Sequence, residues 1–133
     1  KFRNVKSDGN PGQIEGFVDT DFPLFRYADA LLMKAECELN GATGADGIAS
    51  INAVRARAGL EPVKSLNASD LLDERARELA LEGWRRSDLI RFGKFTTGMW
   101  EFMEPRSTNR NIFPIPQWVL DANPGVYTQN NWK

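Results

Sequence analysis

Between Glu74 and Asp88 the sequence sets four carboxylates, Glu74, Glu78, Glu82 and Asp88, at near-helical spacing, with Arg85 and Arg86 interleaved. Carboxylates three or four residues apart share one face of a helix. Two of them held at a fixed separation across a sugar ring are the equipment of glycoside hydrolysis, one as acid and one as base or nucleophile. Glu78 and Glu82 are the candidates for that role. The arginines argue for another use. Glu82 stands four residues before Arg86 and three before Arg85, and Arg85 stands three before Asp88. A guanidinium beside a carboxylate lowers its proton affinity, the wrong direction for a general acid. Glu78, Glu82, Arg85, Arg86 and Asp88 are therefore read as a structural ion network, and no catalytic residue is assigned.

Few other residues offer chemistry. There is no histidine, which removes the commonest general base and metal ligand. No G-x-S-x-G elbow and no Walker loop occurs, so neither a cofactor nor a metal is expected. The single cysteine, Cys37, has no partner for an internal disulfide. With 133 residues, 41% hydrophobic and 26% charged, the chain has the composition of one ordinary globular domain. A formal net charge of -1, without a basic cluster, disfavours nucleic acid as a partner. No apolar run approaches transmembrane length, and no stretch reads as a signal peptide.

The elements that must position the charges follow from periodicity. Asp70 to Phe92 is predicted as one long amphipathic helix, with Leu72, Ala76, Leu79, Ala80, Gly83 and Ile90 on its core stripe. Gly83, in mid-stripe, is expected to admit the backbone of another helix. Leu81 and Leu89 lie among the charges, which implies that part of the ion network is covered by a further element and that its charges have partners there. Tyr27 to Asn40 is a second helix, with Ala28, Leu31, Leu32, Ala35 and Leu39 on one side and Ala30, Met33 and Cys37 on the other. Two apolar sides predict burial between two neighbours, and Cys37 is read as a small buried hydrophobe. Gly41 closes this helix; Ile48, Ile51, Val54 and Ala58 mark the next, which stops at Gly59 before Pro62. Such a hairpin of small-residue helices resembles a tetratricopeptide unit, although that repeat's full consensus is absent.

Outside the helices the sequence is irregular. Lys1 to Asp21 carries Gly9, Asn10, Pro11, Gly12 and Gly16 and is predicted as loop. Gly93 to Arg110 has no sustained period, and there Trp100 stands ahead of Asn109 and Arg110. An aromatic face beside planar polar side chains is the usual composition of a sugar site. The competing use is that Trp84, Phe95, Trp100 and Phe102 plug the helical core. Pro114 and Pro116 force an extended segment, expected to lay Phe113 and Ile115 on the core.

Three blocks together carry a resemblance. Glu74, Arg75, Glu78, Leu79, Glu82, Gly83, Arg85, Asp88, Leu89 and Arg91 resemble the ER..EL..EG.R..DL.R signature of the SusD/RagB family of outer-membrane glycan-capture lipoproteins. Pro23 with Arg26, Tyr27, Ala28 and Asp29 is similar to the family's RYAD element, and the run from Asn111 to Pro116, followed by Leu120, Asn123, Pro124, Gln129 and Asn130, to its FPIP...L..NP...QN ending. The resemblance implies an all-α fold of TPR-like helical hairpins with long irregular loops and an extended C-terminal segment. It divides the chain into an irregular extension over 1–22, continuing from an upstream part, and a SusD/RagB-like C-terminal helical domain over 23–133. It further implies oligosaccharide or polysaccharide as ligand, leaning towards starch through the RR.DL.RF run from Arg85 to Phe92, and a SusC-like TonB-dependent outer-membrane transporter as partner. The place implied is the cell surface, at the outer membrane, with membrane attachment only through a lipid anchor that these residues do not include. Trp100, Asn109 and Arg110 are the candidate glycan contacts. Two readings remain beside this one: a TPR-like protein-binding module without a carbohydrate role, and a glycosidase using Glu78 or Glu82.

Overall fold

The computed structural model of the chain describes residues 4–6, 8–15, 23–99 and 104–132. Its helices are α1 (Tyr27–Leu39), α2 (Gly47–Arg57), α3 (Ala68–Glu78), α4 (Arg85–Arg91), a 3-10 turn (Thr108–Asn111) and α5 (Gln117–Ala122). Among the described residues there is no strand, only an isolated antiparallel bridge between Val5 and Pro11. No helix among them is long and apolar enough to cross a membrane.

The α1–α2 hairpin follows the local signals of the sequence. Both helices close with left-handed glycines. Gly41, at φ +93°, lets Ala42 N–H reach back to the Cys37 carbonyl at 3.0 Å; Gly59, at φ +71°, lets Leu60 N–H reach the Arg55 carbonyl at 3.0 Å. The α2 N-terminus lies so close to α1 that a Cβ on Gly47 would stand 2.9 Å from the Ala35 Cα. Glu38 of α1 meanwhile accepts a hydrogen bond from Gly47 N–H at 2.6 Å, satisfying one of the free amides of that helix end. α3 starts at Asn67, whose side-chain oxygen accepts from Asp70 N–H at 2.9 Å. The core fills the space between these three helices with Ala28, Leu32, Ala35, Ile51, Val54 and Leu71. Full burial of a side chain such as Leu32, Ile51 or Leu71 contributes about 1.5 to 3 kcal/mol.

Three expectations are corrected. Asp70 to Phe92 is not one helix: it breaks after Glu78, and Leu81 and Gly83 take left-handed conformations, at φ 66° and 85°, before α4 begins. The break lets Glu82, Asp88 and Arg85 turn back towards α1 and α3, contacts that a straight rod cannot make. Gly83 accordingly serves the turn and not a close approach, since a Cβ there would meet nothing within 4 Å; the glycine in close contact is Gly47. Cys37 is exposed, as are Ala30 and Met33 on the same side of α1. That side faces a groove of about 530 Å³ shared with Phe25 and Trp84. The expected stripe is real, but no described helix lies on it.

Candidate functional site

The charged residues between Glu74 and Asp88 are tied to α1 and α2. Arg26, immediately before α1, places its Nε 2.9 Å from one Glu82 carboxylate oxygen and 3.0 Å from the other, while its Nη1 donates to Glu78 at 2.8 Å. Those contacts hold the Arg26 guanidinium's proton above the ordinary arginine value, the Glu82 hydrogen bonds being the largest cause. Arg75 bridges Asp29 and Asp88, each at 2.9 Å, and all three side chains are almost wholly enclosed. Arg91 closes the chain on Asp88, at 2.8 Å, and on Glu36. Its proton affinity is likewise raised, first by the Glu36 contact. Glu74, also buried, meets Arg55 at 2.7 Å and Arg77 at 2.8 Å.

Two motifs read separately in the sequence are thus halves of one network. Arg26 and Asp29 of the RYAD element are the partners of Glu78, Glu82 and Arg75 in the ER..EL..EG run. Sequence spacing offered Arg86 as a partner for Glu82, and here the structure differs. Arg86 turns the other way and donates to the carbonyls of Asn111, at 3.0 Å, and Arg110, at 3.4 Å. Arg85 donates to the Leu72 carbonyl at 3.0 Å. Arg26, Asp29, Glu36, Arg75 and Arg91 were the members that local spacing missed. The signal for the first two was that their motif travels with the acidic one.

Arg86 leads to the second feature, a cleft of about 260 Å³ lined by Arg86, Phe95, Arg106, Arg110, Phe113 and Trp132, among others. Its guanidinium lies 4.0 Å from the centre of the Phe113 ring and 4.9 Å from that of Phe95; Arg110 lies 5.7 Å from that of Trp132. Phe113 is 69% exposed, so the expected docking of this ring on the helical core is replaced by stacking under Arg86. The walls are fastened by polar contacts. Arg106 N–H donates to the carbonyl of Thr96 at 2.7 Å, and Asn130 donates to the Phe113 carbonyl at 2.7 Å. Gln129 both accepts from Ile115 N–H and donates to its carbonyl, each at 2.8 Å.

Of the three candidate glycan contacts, Arg110 lines this cleft. Asn109 is half-buried in the same 3-10 turn but does not line it, and Trp100 lies outside the described residues. Trp84 packs against Phe25 with ring centres 5.9 Å apart, beside the groove on α1. Among the described residues no group of three or more His, Cys, Asp or Glu side chains is arranged to hold a metal ion. Aromatic faces together with guanidinium forks suit the cleft to a sugar or to an anion, by stacking and by paired N–H donation.

Comparison with known proteins places this architecture. The SusD family model matches residues 1–132. The starch-binding protein SusD of Bacteroides thetaiotaomicron is 37% identical over 142 residues, which cover 100% of this chain and 25% of that protein. SusD-like protein P25 of Formosa agariphila is 38% identical over 120 residues, covering 76% of this chain and 22% of its own length. Surface glycan-binding protein A of B. thetaiotaomicron, solved in complex with laminarihexaose, superposes with a TM-score of 0.78 at 30% identity over 93% of this chain and 28% of that structure. The chain spans about a quarter of the length of these relatives. From its paired motifs, its helical hairpin and these matches, the chain belongs to the SusD family.

Proposed function

We propose that these residues form part of a glycan-binding component of an outer-membrane nutrient-uptake system. In that role the helices are mainly scaffold, the ligand is an oligosaccharide, and the captured sugar passes to a SusC-like TonB-dependent transporter at the cell surface. The observation that carries the reading is the match of the whole chain, at 37% identity, to a starch-binding protein. The neighbour solved with laminarihexaose supports the broader class, bound glucan, without favouring starch over other linkages. Trp100, Asn109 and Arg110 belong to this proposal as sugar contacts.

Binding without cleavage is the favoured activity, because each buried carboxylate of the network already faces a guanidinium: Glu82 faces Arg26, Glu74 faces Arg55, and Asp88 faces Arg75 and Arg91. The test is calorimetric titration of the full-length protein with malto-oligosaccharides and with laminarihexaose, followed by prolonged incubation and assay of reducing ends. Saturable binding with no new reducing ends is expected. Cleavage that disappears in Glu78→Gln or Glu82→Gln would establish the glycosidase instead, and failure to bind any glycan would sink the capture role.

A further inference from the structure

Among the described residues Arg85 donates to the Leu72 carbonyl, and the other arginines fall into two groups. Arg26, Arg55, Arg57, Arg75, Arg77 and Arg91 are ion-paired with carboxylates. Arg86, Arg106 and Arg110 are not, and all three line the one cleft beneath Phe113 and Trp132. No carboxylate among the described residues lines it. In a chain with 17 basic and 18 acidic residues, three guanidiniums that have no ion pair with a described carboxylate lie together in about 260 Å³, a local concentration of positive charge.

Their setting is also fixed in advance. Arg86 is clamped between two rings while one nitrogen is tied to backbone carbonyls, so its remaining N–H groups are held in place. Arg106 is anchored through its own backbone to Thr96, and Arg110 lies over Trp132. A ligand that accepts from these donors orders little that is not already ordered. Planar guanidiniums match carboxylate and sulfate oxygens in pairs, and the aromatic walls accept the apolar face of a sugar ring.

We propose that the cleft charged by Arg86, Arg106 and Arg110 and walled by Phe95, Phe113 and Trp132 binds the acidic group of a glycan, a uronate carboxylate or a sulfate ester. The proposal rests on the glycan-capture reading above and adds a subsite that selects for negative charge. Arg106 and Arg110 are exposed and carry no ion pair with the described residues, so the substitutions Arg106→Gln and Arg110→Gln remove charge without opening the core.

The experiment uses the full-length protein and three ligands of matched length: an oligogalacturonide, a sulfated oligosaccharide and a malto-oligosaccharide. At low salt the acidic ligands are expected to bind more tightly than the neutral one, and each substitution should weaken them about tenfold or more, the effect of one charge-assisted hydrogen bond. Raising salt to about 1 M, where the screening length is only about 3 Å, should erase the preference. Which acidic ligand binds better identifies carboxylate or sulfate as the group recognised. Unchanged thermal midpoints confirm that the variants are folded. Binding of the neutral glycan alone, or acidic binding indifferent to both substitutions, would overturn the subsite and leave glycan capture standing. Displacement by polyglutamate but by no acidic sugar would assign the cleft to an acidic protein segment and likewise overturn it. No binding of any of the three would remove the capture reading as well.

Discussion

Arg75 and Asp88 are thirteen residues apart in sequence, yet their side chains meet at 2.9 Å inside the protein. In a continuous helix that separation would be about 20 Å along the axis. The turn between α3 and α4 therefore exists to fold the charges of one segment back on each other and on α1. Both partners are nearly inaccessible, Asp88 at 1% and Arg75 at 2%.

Because the pair is buried, its removal from one side leaves a charge with incomplete compensation. Asp88→Ala is expected to cost about 3 to 5 kcal/mol in urea denaturation, since Arg75 keeps only Asp29. Asp121→Ala, on the exposed face of α5, should change stability by less than about 0.5 kcal/mol. Equal effects of the two substitutions would show that the network is incidental to the fold.

The two glycines at issue should respond differently to the size of the replacing side chain. At Gly83 the cost is backbone strain, about 1 to 2 kcal/mol, and Ala and Leu should cost the same because a side chain meets open space. At Gly47 the obstacle is the α1 backbone, so Gly47→Ala should cost about 1 to 3 kcal/mol and Gly47→Leu considerably more. A steep size dependence at Gly83 would return it to the role of a helix contact.

Gln129 offers a third test, through exchange instead of melting. Its side chain takes both the N–H and the carbonyl of Ile115. In Gln129→Ala the Ile115 amide should exchange about tenfold faster with solvent, while amides within α1 and α2 keep their protection. An unchanged Ile115 rate would mean that the clamp is not what orders the segment.

The parts legible in the sequence were those whose causes are local. The α1–α2 hairpin announced itself by apolar periodicity and by Gly41 and Gly59, each acting within a turn of its own helix. The break at Leu79–Trp84 did not, because Glu82, Arg85, Arg86 and Asp88 satisfy short-range pairing rules as well as they satisfy the long-range contacts that win. α4, at seven residues, is too short to carry a period of its own. Of the cleft, only Arg110 was anticipated as a contact. Phe95, Phe113 and Trp132 come from separate non-periodic stretches, and nothing in their spacing indicates that Arg86 gathers the first two.

The Pro114 to Pro116 segment has a consequence for how the protein behaves in company. An extended, solvent-facing run of apolar residues is normally a template on which a foreign strand can assemble, because alternate backbone groups point outward unpaired. Neither Pro114 nor Pro116 has an N–H to offer, and the one amide between them, with its carbonyl, is already occupied by Gln129. The carbonyl of Phe113 is taken by Asn130. Two side-chain amides thus stand where a neighbouring strand would pair, and a segment that displays Phe113 to solvent has its Ile115 amide and carbonyl and its Phe113 carbonyl already taken.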